Sequence, residues 1–134
     1  MANQTLLASS MICSVINICL FLLCEYYCFI PGHKQCPSEL RLIELLSIMI
    51  IITSILNHGY TNVYYKWMDR VIVYLCLLLS IHISVKYNIQ ISWIIIIVCI
   101  GLYIMAKTTE LSIYHVIIHL LMTANNIIYF ILIP

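Results

Sequence analysis

Long apolar segments separated by short polar connections make up almost the whole chain. Each apolar segment is close to the ~20 residues that a helix needs to cross a hydrocarbon core about 30 Å thick. The predicted helices are residues 6–28, 40–57, 67–85, 91–106 and 111–133. Because backbone groups in lipid must hydrogen-bond within the protein, we predict an all-α integral membrane protein. Residues 1–134 then form a single transmembrane domain, a bundle of about five transmembrane helices.

Composition supports this prediction and excludes other classes of protein. Of the 134 residues 64% are hydrophobic and 8% charged, with a mean hydropathy of +1.09. A soluble domain carries about a quarter charged residues. The net charge of +1 leaves no basic surface for a nucleic acid, so none is expected as a partner. We expect a multi-pass protein of an intracellular membrane, of the endoplasmic reticulum or Golgi type, with its oligomeric state undetermined.

The cysteines predict little chemistry. There are seven of them, an odd number, most lie in apolar segments, and no C-x-x-C pair occurs. We therefore predict free buried thiols that pack as small hydrophobic side chains. A disulfide framework or a thiolate metal site is not expected.

Polar residues inside the predicted helices carry the functional hypothesis, because an ionisable group in a membrane is costly. Ser54 and His58 are four residues apart near the end of the second helix, and Asp69 begins the third. His115 and His119 are four apart near the start of the fifth, so each pair shares a helix face. Alternating helix directions bring all five residues to the same side of the membrane.

Three imidazoles at one point are a natural ligand set for catalytic zinc. Zinc binds histidine nitrogens at about 2.0–2.1 Å and keeps one position for water in a catalytic site. The pair His115 and His119 would supply two ligands from one helix, and His58 the third. Asp69 would then accept a proton from the zinc-bound water, and Ser54 would hydrogen-bond a developing oxyanion.

Each of these residues also has an ordinary interpretation when it is taken alone. A serine such as Ser54 commonly bonds back to a carbonyl of its own helix. Asp69 is a plausible interfacial partner for Arg70 or Lys66. The zinc hypothesis therefore depends on the whole set and on its common side of the membrane.

Other polar residues in the predicted helices favour structural roles. Glu25 and Glu44 lie toward the opposite side of the membrane, where they would extend to the interface or pair with Arg41. Asn125 and Asn126 are typical of side chains that hydrogen-bond between membrane helices.

The order of these residues resembles the CREST superfamily of membrane hydrolases, which includes alkaline ceramidases and the progestin and adipoQ receptors. The matching residues are Ser54-x-x-x-His58, then Asp69, then His115-x-x-x-His119. The short gap between His58 and Asp69 is most similar to the alkaline ceramidases. Those families have seven helices, so the resemblance is to a shortened form.

The resemblance implies zinc held by His58, His115 and His119, with Ser54 and Asp69 as catalytic residues. It implies hydrolysis of a lipid amide, typically ceramide, and we extend the expectation to a lipid ester. Three alternatives stay open. The chain could be a small membrane interaction or assembly protein without enzymatic activity, a haem protein with histidine ligands from two helices, or an oligomer that relays protons through histidine and aspartate.

Overall fold

Five helices account for nearly all of the chain that the structure describes. The computed structural model describes residues 4–29, 36–60, 62–109 and 111–133, apart from the side chains of Phe29 and His58. The helices are α1 (Gln4–Phe29), α2 (Ser38–Gly59), α3 (Val63–Lys86), α4 (Gln90–Thr109) and α5 (Ser112–Leu132). No strand occurs in these ranges, which confirms the all-α prediction.

Polar residues at the interfaces extend two helices beyond the predicted apolar segments. Helix α3 begins at Val63 instead of residue 67, because the Asn62 side chain caps it by accepting a hydrogen bond from the Tyr64 amide at 2.9 Å. Helix α4 continues to Thr109, past the predicted end at residue 106. There the Thr109 hydroxyl donates to the Met105 carbonyl at 2.7 Å, so a polar side chain bonds back to its own helix.

The helices close into a ring in which the first and last are neighbours. Helix α1 packs against α2, α2 against α3, α4 against α5, and α5 against α1, all extensively. The contact between α3 and α4 is smaller, and α2 and α5 touch only briefly across the centre. Helix α1 therefore separates most of α5 from α2.

Apolar side chains cover the outside of the bundle, while many polar ones lie inside. Serine, threonine and asparagine form most of the buried polar set: Ser9, Ser10, Asn17, Ser47, Thr53, Ser54, Ser80, Ser84, Ser92, Thr123, Asn125 and Asn126. Small and polar interiors are typical of helices that associate within lipid. Helices α1, α3, α4 and α5 are also long and apolar enough to cross a membrane. The chain therefore has the features of a multi-pass membrane protein.

A disulfide joins α1 to the start of α2, contrary to the prediction of free thiols. Cys24 and Cys36 are bonded, with their Cα atoms 5.8 Å apart. The prediction was wrong for this pair because sequence spacing does not show that the end of α1 returns to the start of α2. The other five cysteines are free. The expected pairing of Glu25 with Arg41 is confirmed at the same place, with an Nη1 to Oε1 distance of 3.4 Å.

Two ends of the bundle can now be named. The disulfide end comprises the ends of α1, α3 and α5 with the starts of α2 and α4, and it contains Cys24 and Cys36. The histidine end comprises the starts of α1, α3 and α5 with the ends of α2 and α4, and it contains His115 and His119.

A buried tyrosine holds three helices together toward the disulfide end. The Tyr129 side chain of α5 is fully buried, and its hydroxyl donates to the Ser80 carbonyl of α3 at 2.9 Å. The same oxygen lies 2.9 Å from the Ser84 hydroxyl and 2.6 Å from the Ser92 hydroxyl of α4. The ring thus fills space among apolar side chains while its polar atom is satisfied by α3 and α4.

We expect Tyr129→Phe to lower the free energy of unfolding by about 1 kcal/mol, because it leaves the Ser80, Ser84 and Ser92 groups short of a partner. Tyr129→Ala also opens a cavity and should cost about 3–5 kcal/mol. Both values are measured by unfolding of the detergent-purified protein. The matched control is Tyr26→Ala, since Tyr26 is 62% exposed, and its effect should stay within about 0.5 kcal/mol. Equal effects at the two tyrosines would contradict the assignment of Tyr129 to the core.

Candidate functional site

A serine of α1 links the predicted histidine and serine at the histidine end. Ser10 is buried, and its Oγ lies 3.3 Å from Nδ1 of His119 on α5. The same oxygen lies 3.5 Å from Oγ of Ser54 on α2. Ser54 and His119 are therefore brought together from two helices by a residue of a third.

These contacts favour one tautomer of His119. The Ser10 hydroxyl donates to the carbonyl of Leu6, at 3.0 Å. With its proton engaged there, Ser10 Oγ is an acceptor for Nδ1 of His119, which favours the tautomer that carries its proton on Nδ1. In that tautomer the lone pair lies on Nε2. A metal-binding histidine commonly has this arrangement, with one nitrogen donating to a fixed acceptor and the other on the metal.

The carboxylate of Asp69 is held against the end of α2. The Asn57 amide donates to Oδ2 at 3.1 Å, and the Thr53 hydroxyl oxygen lies 3.2 Å from Oδ1. Both oxygens of this half-buried side chain therefore have a fixed orientation. Polar groups of α2 thus hold this carboxylate in one orientation inside the bundle.

His115 lies one helical turn before His119 and faces α3 and α4. Its ring meets the Tyr103 ring of α4 edge to face, with centroids 6.4 Å apart and an interplanar angle of 78°. Asp69 is near enough to interact with it electrostatically. The imidazole is half-buried and lies against the Tyr103 ring.

The structure therefore places four of the five predicted site residues at one end of the bundle. Ser54 and His119 meet through Ser10, and Asp69 lies near His115. His58 belongs to α2, one turn beyond Ser54, but its side chain lies outside the described residues. Among the described side chains, no group of three or more His, Cys, Asp or Glu residues is arranged to hold a metal ion.

Sequence reasoning missed the residues that position the predicted ones. Ser10 is one of several serines early in α1, and nothing in its spacing distinguishes it. Tyr103 lies in an isoleucine-rich helix that carries no other site residue. The role of Asn57 could have been predicted from its position in the sequence. It lies one turn after Thr53 and just before His58, so the side chains of Asn57 and Thr53 share a face of α2 and both contact α3.

Asparagines form a second polar region, deeper in the bundle. The Asn126 amide of α5 donates to Asn17 Oδ1 of α1 at 2.8 Å and to Ser47 Oγ of α2 at 2.7 Å. The predicted interhelical role is thus confirmed for Asn126. Asn125 is also fully buried, and its amide has no hydrogen-bond partner among the described residues.

Glu44 differs from the expectation that it would reach the interface or pair with Arg41. Its side chain is 0% exposed, and neither carboxyl oxygen has a hydrogen-bond partner within the described part of the chain. The difference arises from its position on α2, since it points into the bundle while Arg41 pairs with Glu25. Sequence position alone gave the depth of Glu44 but not the direction of its side chain.

The histidine end combines neutral imidazole, carboxylate and hydroxyl groups from α1, α2, α3 and α5. Such groups are able to bind a metal ion, to transfer a proton and to stabilise an oxyanion. The likeness to the CREST superfamily rests on the matching residues alone. Comparisons of the chain with models of protein families, with curated proteins and with solved structures found no match.

Proposed function

We propose that this chain is a zinc-dependent hydrolase embedded in the membrane as a bundle of five transmembrane helices, and that it cleaves a ceramide-like lipid amide or a lipid ester. The observation that carries the proposal is the presence of two pairs at the histidine end: Ser54 and His119 meet through Ser10, and Asp69 interacts electrostatically with His115. The four predicted site residues come from three helices. Ionisable side chains are costly inside a membrane bundle, so their presence at one end favours a functional role over a purely structural one.

The described residues at this end would supply two of the ligands that zinc needs. His115 and His119 share one face of α5, and a hydrogen bond from Nδ1 of His119 to Ser10 Oγ, 3.3 Å away, would leave the lone pair on Nε2, as a ligand requires. His58 would be the third ligand. Zinc bound there would supply an acidic water molecule, with a pKa near 7, for attack on the lipid.

Asp69 and Ser54 would act on the proton and on the developing charge. Asp69 accepts a proton from the attacking water and delivers it to the leaving amine or alcohol, while Asn57 keeps its carboxylate in place. Ser54 lies 3.5 Å from Ser10, which is long for an O–H···O bond. Its hydroxyl can therefore turn toward a substrate and donate to the oxyanion.

The lipid would enter sideways between α3 and α4. These helices pack together less than the other neighbours in sequence, and the Tyr129 cluster holds them at the disulfide end. Their separation is therefore expected at the histidine end, beside Asp69 and Tyr103. An outward-facing apolar pocket on α3, with Trp67, Met68 and Val71 in its wall, offers space for an acyl chain.

We also propose a membrane of the endoplasmic reticulum or Golgi type as the location. The disulfide between Cys24 and Cys36 supports it, because disulfides persist where thiols are not kept reduced. The disulfide end would then face the lumen, and the histidine end the cytosol.

The test is zinc content and lipid hydrolysis by the purified protein. We expect about one zinc ion per chain, and release of fatty acid from a short-chain ceramide or from an ester of the same acyl length. A chelator should abolish the release, and added zinc should restore it, whereas magnesium should not. A wild-type protein that is folded, carries no metal after expression with added zinc, and cleaves neither lipid would contradict the proposal.

A further inference from the structure

A buried polar layer near the middle of the bundle has no part in the proposed hydrolysis. We call it the mid-bundle layer, and it consists of Asn17 of α1, Glu44 and Ser47 of α2, Cys76 of α3, and Asn126 of α5. All five side chains are buried, and Glu44 completely so. Its groups lie toward the disulfide end from Ser54 on α2 and from His119 on α5, so it is separate from the histidine end.

Contacts on the α2 side bring the members of this layer together. Glu44 and Ser47 are one turn apart on α2 and share a face. Cys76 of α3 is buried at the same depth, and its thiol interacts with Ser47 and with Glu44. The Asn126 amide reaches Ser47 from α5 at 2.7 Å. Glu44 therefore shares its face of α2 with a serine that α5 contacts directly.

In the mid-bundle layer the amide N–H groups are engaged in hydrogen bonds, whereas some of the acceptor oxygens receive none. The Asn126 amide nitrogen donates one hydrogen bond to Asn17 and one to Ser47. The Asn17 amide nitrogen donates to its own helix and to α5, and the Ser47 hydroxyl donates to its own helix. Within the described residues, three oxygens of the layer have no partner: both of Glu44, and Oδ1 of Asn126.

Oxygen acceptors in excess around one carboxylate offer ligands to a cation. A charged carboxylate without a partner is strongly disfavoured in a bundle interior, so Glu44 is either protonated there or balanced by a positive ion. Carboxylate and amide oxygens are ligands for hard cations. One carboxylate balances one positive charge, whereas a divalent ion would leave the interior with a net charge.

We propose that the mid-bundle layer binds one sodium ion, coordinated by the Glu44 carboxylate and by Oδ1 of Asn126. The ion would link α2 to α5, two helices that otherwise touch only briefly. Its binding would therefore stabilise the closed ring of helices, and it does not depend on zinc or on hydrolysis at the histidine end.

The experiment measures thermal unfolding of the full chain, purified in detergent and free of sodium. Sodium chloride replaces choline chloride at constant ionic strength, because choline is too large for a buried site. We expect the unfolding temperature to rise by several degrees and then to saturate, since a ligand that binds only the folded state stabilises it by mass action. Radioactive sodium should also be retained at about one ion per chain, and unlabelled sodium should displace it.

Glu44→Gln removes the charge but keeps the size of the side chain, so it should abolish the response to sodium and the retention of radioactive sodium. The control is Glu25→Gln, because Glu25 is a carboxylate of the α1 surface that pairs with Arg41, and this variant should respond as the wild type does. Zinc content serves as a further check and should be unchanged in both.

Two results would overturn the proposal. One is wild-type protein whose unfolding temperature depends on pH but not on sodium, which would show a protonated Glu44 that donates to Asn126 instead of a bound ion. The other is wild-type protein that retains no radioactive sodium, a measurement that decides the question even where Glu44→Gln fails to fold.

Discussion

If the chain is the proposed zinc hydrolase, His119→Ala should remove its zinc and abolish lipid hydrolysis. The substitution deletes the imidazole whose Nδ1 is held by Ser10 and whose Nε2 would bind the metal. Loss of a group that only orients a ligand weakens metal binding about 10–100-fold, so loss of the ligand should weaken it by more than about 100-fold. Zinc per chain is measured by elemental analysis of the purified protein, and hydrolysis by release of fatty acid.

Two variants make this result specific. His82→Ala removes an exposed imidazole of α3 near the disulfide end, and it should keep both the zinc and the activity. Ser10→Ala removes only the acceptor for Nδ1 of His119, so its zinc affinity should fall by the smaller factor of about 10–100. If His119→Ala retained as much zinc as His82→Ala, then His119 would not be a ligand.

Asp69→Asn should lower the rate of hydrolysis about 10²–10⁴-fold while the protein keeps its zinc. An amide has the same shape and still meets the Thr53 hydroxyl, but it cannot accept a proton as a carboxylate does. The loss should appear in kcat more than in KM, because the step affected is proton transfer and not lipid binding. Zinc analysis and steady-state kinetics on the same preparation separate the two effects.

The matched control for this substitution is Glu39→Gln, also a change of carboxylate to amide. Glu39 forms an ion pair with Lys86 at the disulfide end, and the ammonium group lowers the pKa of that carboxyl to about 2. It is thus charged at neutral pH but far from the histidine end, and its replacement should leave hydrolysis unchanged. An Asp69→Asn protein with the wild-type rate would remove Asp69 from the mechanism.

Hydrophobic length was enough to predict the helices, and helix direction was enough to predict which residues share an end. Ser54, Asp69, His115 and His119 do lie at the same end, because each connection is short and reverses the chain. The functional roles of these residues stay predictions. Helix ends were less accurate, since a cap such as Asn62 is polar and lies outside the apolar segment that defines the prediction.

Neighbour relations between helices could not be predicted from the sequence. In lipid, the side chains that face outward are as apolar as many that face inward, so periodicity does not identify the partner of a helix. A zinc site built from His58, His115 and His119 would place the end of α2 directly beside the start of α5. Instead α1 lies between them over most of their length, and Ser10 bridges the two. The disulfide between Cys24 and Cys36 was missed for the same reason, because the sequence does not show that the end of α1 lies against the start of α2.

The pairing of α1 with α5 also has a consequence for the order of biosynthesis. Asn17 bonds to Asn126, which is made 109 positions later. When α1 enters the bilayer, its asparagine therefore has no final partner, and neither does Ser47 of α2. The ribosome must add four helices after α1, and three after α2, before these groups are covered. Closure of the interior consequently waits for the synthesis of α5, and a nascent chain that stops before α5 retains uncompensated polar groups in lipid.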